Sequence, residues 1–140
     1  MKKQFILNVM KKVLLVLPLL ALLFILTSCS KDESDSYLPF DNSKVVGSWA
    51  ITSVEGSSIW NWICTGNVLI FNSDGTCSTG CSMEDSWKIS SGKVCTYYKR
   101  TAEPMLVYSL LSSEGSTYKI KVQGTLDESN QSVVINVSKK

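Results

Sequence analysis

From Val45 onward, apolar and polar residues alternate with the two-residue period of a β-strand, and glycine, asparagine, aspartate or serine interrupt the alternation at short intervals. Val45, Gly47, Trp49 and Ile51 share one face of a first strand over 44–54. Leu69 and Phe71 mark a second over 67–71, and Thr76 to Cys81 runs back from it with Cys77, Thr79 and Cys81 on one face. Trp87 and Ile89 are in phase in a fourth strand over 85–90, and a fifth covers 93–98. Three more follow over 105–111, 116–123 and 132–137. In the seventh, Tyr118, Ile120 and Val122 alternate with Lys119, Lys121 and Gln123; in the eighth, Val133, Ile135 and Val137 face in.

The breaks carry turn chemistry. Asn72-Ser73-Asp74-Gly75 is a hairpin signal because glycine supplies the positive φ such a turn needs. Ser90-Ser91-Gly92-Lys93, Ser112-Ser113-Glu114-Gly115 and Asp127-Glu128-Ser129-Asn130 punctuate later strands, and Pro104 ends any ladder at the loop that starts at Lys99. Eight short strands without an amphipathic helix after residue 43 predict an all-β fold, an antiparallel up-and-down meander. Such a sheet removes its edges by closing into a small barrel. A barrel of about eight strands is just wide enough for packed side chains or one small ligand.

The N-terminus has a different pattern. Lys2, Lys3, Lys11 and Lys12 precede an uncharged run from Val13 to Leu26, broken only by Pro18, which is the layout of a secretory signal helix. The run falls short of the roughly 20 apolar residues of a transmembrane helix; an uncleaved anchor with an incidental cysteine is the alternative. Leu26-Thr27-Ser28-Cys29 resembles the lipobox of bacterial lipoproteins. That resemblance implies cleavage after residue 28 and acylation, typically with palmitate, of Cys29, the membrane contact of the mature chain. Two or three acyl chains anchor a protein stably where one does not. Ser30-Lys31-Asp32-Glu33-Ser34-Asp35 follows directly. With Lys31, Asp32 and Glu33 it resembles the acidic export signal of surface lipoproteins of the Bacteroidota, implying an outer-membrane, cell-surface address. The periplasmic face is the alternative, with the same residues serving as a polar tether. The expected organisation is a signal peptide over 1–28, a lipidated cysteine and flexible tether over 29–43, and a barrel domain over 44–140.

Composition narrows the function. Cys29–Lys140 is enough chain for one domain. Four of the 14 basic residues precede Val13, leaving 10 against 12 acidic residues, so no basic field remains to attract nucleic acid. Histidine is absent, which removes the commonest general base and metal ligand. With Cys29 committed to lipid, Cys64, Cys77, Cys81 and Cys95 remain. An even number in an exported domain favours disulfides, against buried thiols or metal; the spacing lacks the paired knuckles of zinc ribbons. A turn at 72–75 lays Cys81 beside 64–67, which makes Cys64–Cys81 the preferred bridge and Cys77–Cys95 the second pair.

Gly47-Ser48-Trp49 resembles the Gly-x-Trp signature of lipocalins, and Leu69 to Thr76 resembles the apolar strand and Asp-Gly-Thr turn of small lipocalin-like lipoprotein domains. The likeness spans 45–139 and implies a lipocalin-like barrel, a fold often without assigned activity. Gly75 to Cys81 also resembles the glycine-and-cysteine hairpin of META-type domains, with Ser82 where asparagine normally follows.

Among candidate chemistry, Trp60 and Trp62 stand out. In an extended segment both rings point one way, forming either a platform for an apolar or glycan-type ligand or a lid packed over the barrel mouth. Glu84-Asp85 and Asp127-Glu128 are adjacent acids, whose side chains leave a strand on opposite faces and so form a poor hydrolytic pair; both read as turns. Tyr97-Tyr98-Lys99-Arg100 reads as a strand running into a solvated loop. No catalytic residue, cofactor or metal site is expected, and the protein is read as a non-enzyme. The expectation is a lipid-anchored binding module, with a packed structural or protein-interaction module as its rival; a cavity beneath Trp60 and Trp62 separates the two.

Overall fold

The alternation becomes one eight-stranded antiparallel sheet curled into a nearly closed barrel, seen in a computed structural model that describes residues 36–56, 60–99, 101–125 and 131–140. The chain divides into two units, Met1–Ser34 and Asp35–Lys140. The expected signal peptide, the expected lipidation site Cys29, the expected export signal at Lys31-Asp32-Glu33 and the expected turn at Asp127–Asn130 lie outside the described residues.

After one helical turn, α1 (Asn42–Val45), come β1 (Gly47–Glu55), β2 (Val68–Phe71), β3 (Cys77–Ser78), β4 (Ser86–Ser90), β5 (Lys93–Tyr97), β6 (Leu106–Glu114), β7 (Thr117–Gly124) and β8 (Ser132–Lys139). Each strand pairs with its neighbours in sequence, and β8 returns to β1 with Ile51 opposite Val137. The seam lies between β3 and β4. It is held by the Thr76–Ser86 bridge, by Cys77 N–H donating to Asp85 O at 3.1 Å, and by Trp87 N–H donating to Gly75 O at 2.8 Å.

The expected inward residues fill the interior. Trp49, Ile51, Leu69, Phe71, Ile120, Val122, Ile135 and Val137 are all fully buried, and Tyr108 and Leu110 of the sixth strand, whose face was not assigned, join them. An aromatic column runs through them. Trp49 stacks on Phe40 at 5.6 Å and meets Phe71 at 4.6 Å, and Phe71 meets the edges of Trp87 and Tyr108, each at 5.9 Å. Such pairs contribute about 0.5–1.5 kcal/mol each beyond their burial. Gly47 opens β1 at φ +132°, and a Cβ there would lie 3.1 Å from the Lys139 side chain. The positive φ is what calls for glycine two residues before the central tryptophan, since the end of the Lys139 side chain could swing aside.

The Asn72–Thr76 hairpin forms as its residues dictate. Gly75 takes φ +85°, Thr76 donates to Asp74 through its N–H at 2.9 Å and its hydroxyl at 2.7 Å, and Trp87 Nε1 donates to Asn72 O at 3.0 Å. β6 and β8 run on past their expected ends, to Glu114 and Lys139, and two other boundaries differ for reasons visible in the contacts. β3 stops at Ser78, because Gly80 adopts φ +88° and the chain leaves the sheet; Thr79 O then accepts from the Asn67 side chain and the Thr79 hydroxyl turns to Glu84. The domain also begins before residue 44. Leu38 bridges to Leu110, Phe40 N–H donates to Gly92 O at 2.8 Å, and the Phe40 ring is buried, so residues 38–43 pack on the barrel and do not belong to the tether.

The two ends of the barrel differ. The tight hairpins 72–75, 91–92 and 115–116 gather at one end, where Phe40 and α1 pack over the core. The long connections after β1, β3, β5 and β7 gather at the other. Among the described residues no helix is long and apolar enough to cross a membrane.

Candidate functional site

The open end is organised by the connection between β1 and β2. Ile63 is buried in the core and its N–H donates to Trp60 O at 2.9 Å, which pins the loop in its middle. Asn67 clamps it from the side, its Nδ2 donating to Trp62 O at 2.7 Å and to Thr79 O at 3.1 Å. Held this way, the rings of Trp60 and Trp62 stack at 6.4 Å with 29° between their planes. Trp60 lies across β7 at Gly124, where a Cβ would come within 3.0 Å of Cζ2. The two tryptophans thus lie side by side, not through the extended segment that was expected but through a turn held by Ile63 and Asn67.

Beneath them is a half-open recess of about 400 Å³. Trp60, Trp62, Met83, Met105 and Leu106 supply apolar surface, and Glu84 is the single charged lining residue among those described. The volume lies within the range of about 300–1,000 Å³ typical of small-molecule sites. The barrel interior proper is packed, so the space belongs to the mouth rather than to the core.

Glu84 is the residue that sequence reasoning missed. It reads as half of an acidic turn, yet only 5% of it is exposed. Glu84 Oε2 accepts from the Thr79 hydroxyl at 2.8 Å and, at a longer 3.4 Å, from the Tyr108 hydroxyl. Oε1 is buried and completes no hydrogen bond of ordinary geometry among the described residues, although the Thr96 hydroxyl, buried and equally unsatisfied, also acts on the carboxyl. Burial pushes the carboxyl up to about 6, with the Thr79 hydrogen bond acting against it. Its charge acts on neighbours in turn: the Tyr108 hydroxyl is raised by burial and then by Glu84, and the Cys77 thiol is pushed up to about 12 by burial, then Glu84 and Asp85. No sequence signal marks Glu84 for burial, since strand phase from Trp87 and Ile89 places it on the outer side. The chain turns it inward only because β3 ends early and the 79–85 loop folds over the mouth.

The cysteines correct an expectation. Cys64, Cys77, Cys81 and Cys95 are free thiols. Cys77 is opposite Phe71 and faces the core, whereas Cys95 is opposite exposed Lys88 on the outer face, where β5 residues alternate with inward Val94 and Thr96. A Cys77–Cys95 bridge would have to cross the sheet, which the geometry of a disulfide does not permit. The segments carrying Cys64 and Cys81 do approach each other through Asn67, but the preferred Cys64–Cys81 bridge is not formed either. Among the described residues no three Cys, Asp or Glu side chains converge as a metal site. Tyr97 is buried beneath Lys88, whose Nζ is 4.7 Å from the ring, so the Tyr97–Lys99 stretch is a strand end and its loop.

Comparison with models of known families, with curated proteins and with solved structures finds no match for this chain.

Proposed function

We propose that this chain is an exported lipoprotein, held to the bacterial outer membrane by lipid on Cys29 and facing the cell surface, whose barrel binds a small, largely apolar ligand at its mouth. The observation that carries the binding role is the recess of about 400 Å³ under the stacked Trp60 and Trp62. Aromatic rings give large contact area at low conformational cost, and a mouth fixed by Ile63 and Asn67 is organised before a ligand arrives. The address rests on the Leu26–Cys29 lipobox and the acids behind it. A packed core of Trp49, Phe71, Tyr118 and Ile135 supports the rival reading, an envelope interaction module without ligand.

Each half has its own test. Labelled palmitate should enter the wild-type chain and not a Cys29→Ala variant, and protease added to intact cells should remove the barrel; labelling independent of Cys29, or full protection until lysis, refutes the anchor or the surface address respectively. For the recess, 2-phenylethanol titrated into the full-length chain in detergent, with the empty-micelle titration subtracted, should change tryptophan emission saturably. The change should vanish in the Trp60→Ala/Trp62→Ala variant. A wild-type response that does not saturate, or one the variant retains, removes the binding role.

A further inference from the structure

The recess is apolar over most of its wall but contains one feature an apolar ligand would leave unused. Glu84 lines it, is 5% exposed, and has its Oε2 turned to Thr79, while Oε1 is left with the Thr96 hydroxyl, which acts on the carboxyl but completes no hydrogen bond of ordinary geometry. A buried carboxylate oxygen without a donor costs about 1–3 kcal/mol, more when ionised. Among the described residues no lysine or arginine lines the recess to supply a donor or to compensate its charge. The two ion pairs among the described residues, Lys44–Asp41 and Lys119–Glu55, involve neither Glu84 nor any lining residue.

We infer that the recess selects a small apolar molecule bearing a protonated amine, whose ammonium group pairs with the Glu84 carboxylate while its hydrocarbon or aromatic body lies against Trp60 and Trp62. The inference rests on the binding role proposed above and specifies the class of ligand. Three features favour a cation over a neutral donor. A charge-assisted hydrogen bond is about twice as strong as a neutral one. The faces of stacked tryptophans attract positive charge through their ring quadrupoles. A free acid or phosphate would meet a like charge in a poorly solvated site and is excluded. With its carboxyl at about 6, Glu84 is mainly ionised at neutral pH, and the groups facing it are the Tyr108 hydroxyl, the Cys77 thiol and, from the same loop, the Cys81 thiol. Tyr108 and Cys77 are held neutral there, so the buried negative charge in this part of the mouth is that of Glu84, with exposed Asp85 the other carboxylate acting on Cys77.

The test uses three probes with one body and different heads: 2-phenylethylamine, 2-phenylethanol and phenylacetate, each titrated into the full-length chain with tryptophan emission as readout. In the wild type the amine should bind at least about tenfold more tightly than the alcohol, the equivalent of about 1.4 kcal/mol, and phenylacetate should bind more weakly than either. In Glu84→Gln, which keeps the shape and removes the charge, the amine should fall to the affinity of the alcohol, with the alcohol itself little changed. If alcohol and amine bind the wild type equally, or the preference persists in Glu84→Gln, the inference is wrong and the apolar site stands. If no probe binds the wild type, the binding role itself fails. The wild-type ranking needs no variant, so a misfolded Glu84→Gln would not leave the question open.

Discussion

Glu84 makes the stability of the barrel depend on pH in a direction opposite to that of most acids. Its carboxyl moves from an ordinary 4.5 to about 6 because burial disfavours the charged form. The folded chain therefore holds its proton more tightly than the unfolded chain does. The stability associated with this proton is fully present below the unfolded value and is lost as pH rises through the folded value, a window from about pH 4.5 to about 6.5. A shift of about 1.5 units at 1.36 kcal/mol per unit makes the ionised group cost about 2 kcal/mol at neutral pH. The residue is 5% exposed, so solvent screening takes little from this figure. Glu84→Gln keeps an oxygen for the Thr79 hydroxyl and removes the titration. Urea unfolding of both proteins at about pH 4, 5, 6 and 7.5 should give a stability difference near zero at the acid end, growing to about 2 kcal/mol in favour of the variant. Asp41, Glu55 and Asp74 are held low by hydrogen bonds from Ser43, Lys119 and Thr76 respectively and act with the opposite sign at lower pH. They are shared by both proteins and cancel in the difference. A flat difference across the range, or a variant that loses stability as pH rises, would refute the argument that Glu84 is buried at a cost.

Three further outcomes follow from the packing. Trp49→Ala removes the centre of the aromatic column and should cost about 3–5 kcal/mol in denaturant unfolding; a loss under about 1 kcal/mol would mean the column is not the core. Gly124→Leu places a side chain where Trp60 lies, with only 3.0 Å available to its Cβ, and should abolish probe binding while leaving the chain folded by circular dichroism; unchanged binding would locate the site elsewhere. In native protein a thiol reagent should modify exposed Cys64 quickly and Cys77 only on unfolding, since Cys77 is buried and its thiol is pushed up to about 12. Peptide mapping that found Cys77 joined to Cys95 would contradict the placement of these residues on opposite faces.

Strand order was readable because each signal was local. Trp49, Phe71, Tyr118 and Ile135 announce their face by a two-residue period, and Asp74-Gly75-Thr76 carries its own turn in three side-chain and backbone contacts. The tryptophan pair was foreseen for a reason that does not hold: an extended segment was expected to align Trp60 and Trp62, whereas a turn closed by Ile63 N–H to Trp60 O brings them to stack. Other features depend on partners distant in sequence. Residues 38–43 look like the end of a polar tether, and only the docking of Phe40 on Trp49 makes them part of the domain. The sixth strand extends past its expected end to Glu114, because a bulge between Leu110 and Ser112 keeps it paired to β7. Glu84 was hidden because its burial results from the Thr79–Gly80 departure from the sheet and from Tyr108, 24 residues away. The cysteine pairing failed because counting cysteines is blind to the face of the sheet on which each thiol sits.

The central claim is that the mouth under Trp60 and Trp62 carries a ligand, and native mass spectrometry of the full chain, purified gently from the membranes of its own host, tests it most directly. The account predicts a reproducible non-covalent mass above that of the acylated chain, one that disappears in Trp60→Ala/Trp62→Ala while the covalent lipid stays. A chain of bare acylated mass under every growth condition would contradict it.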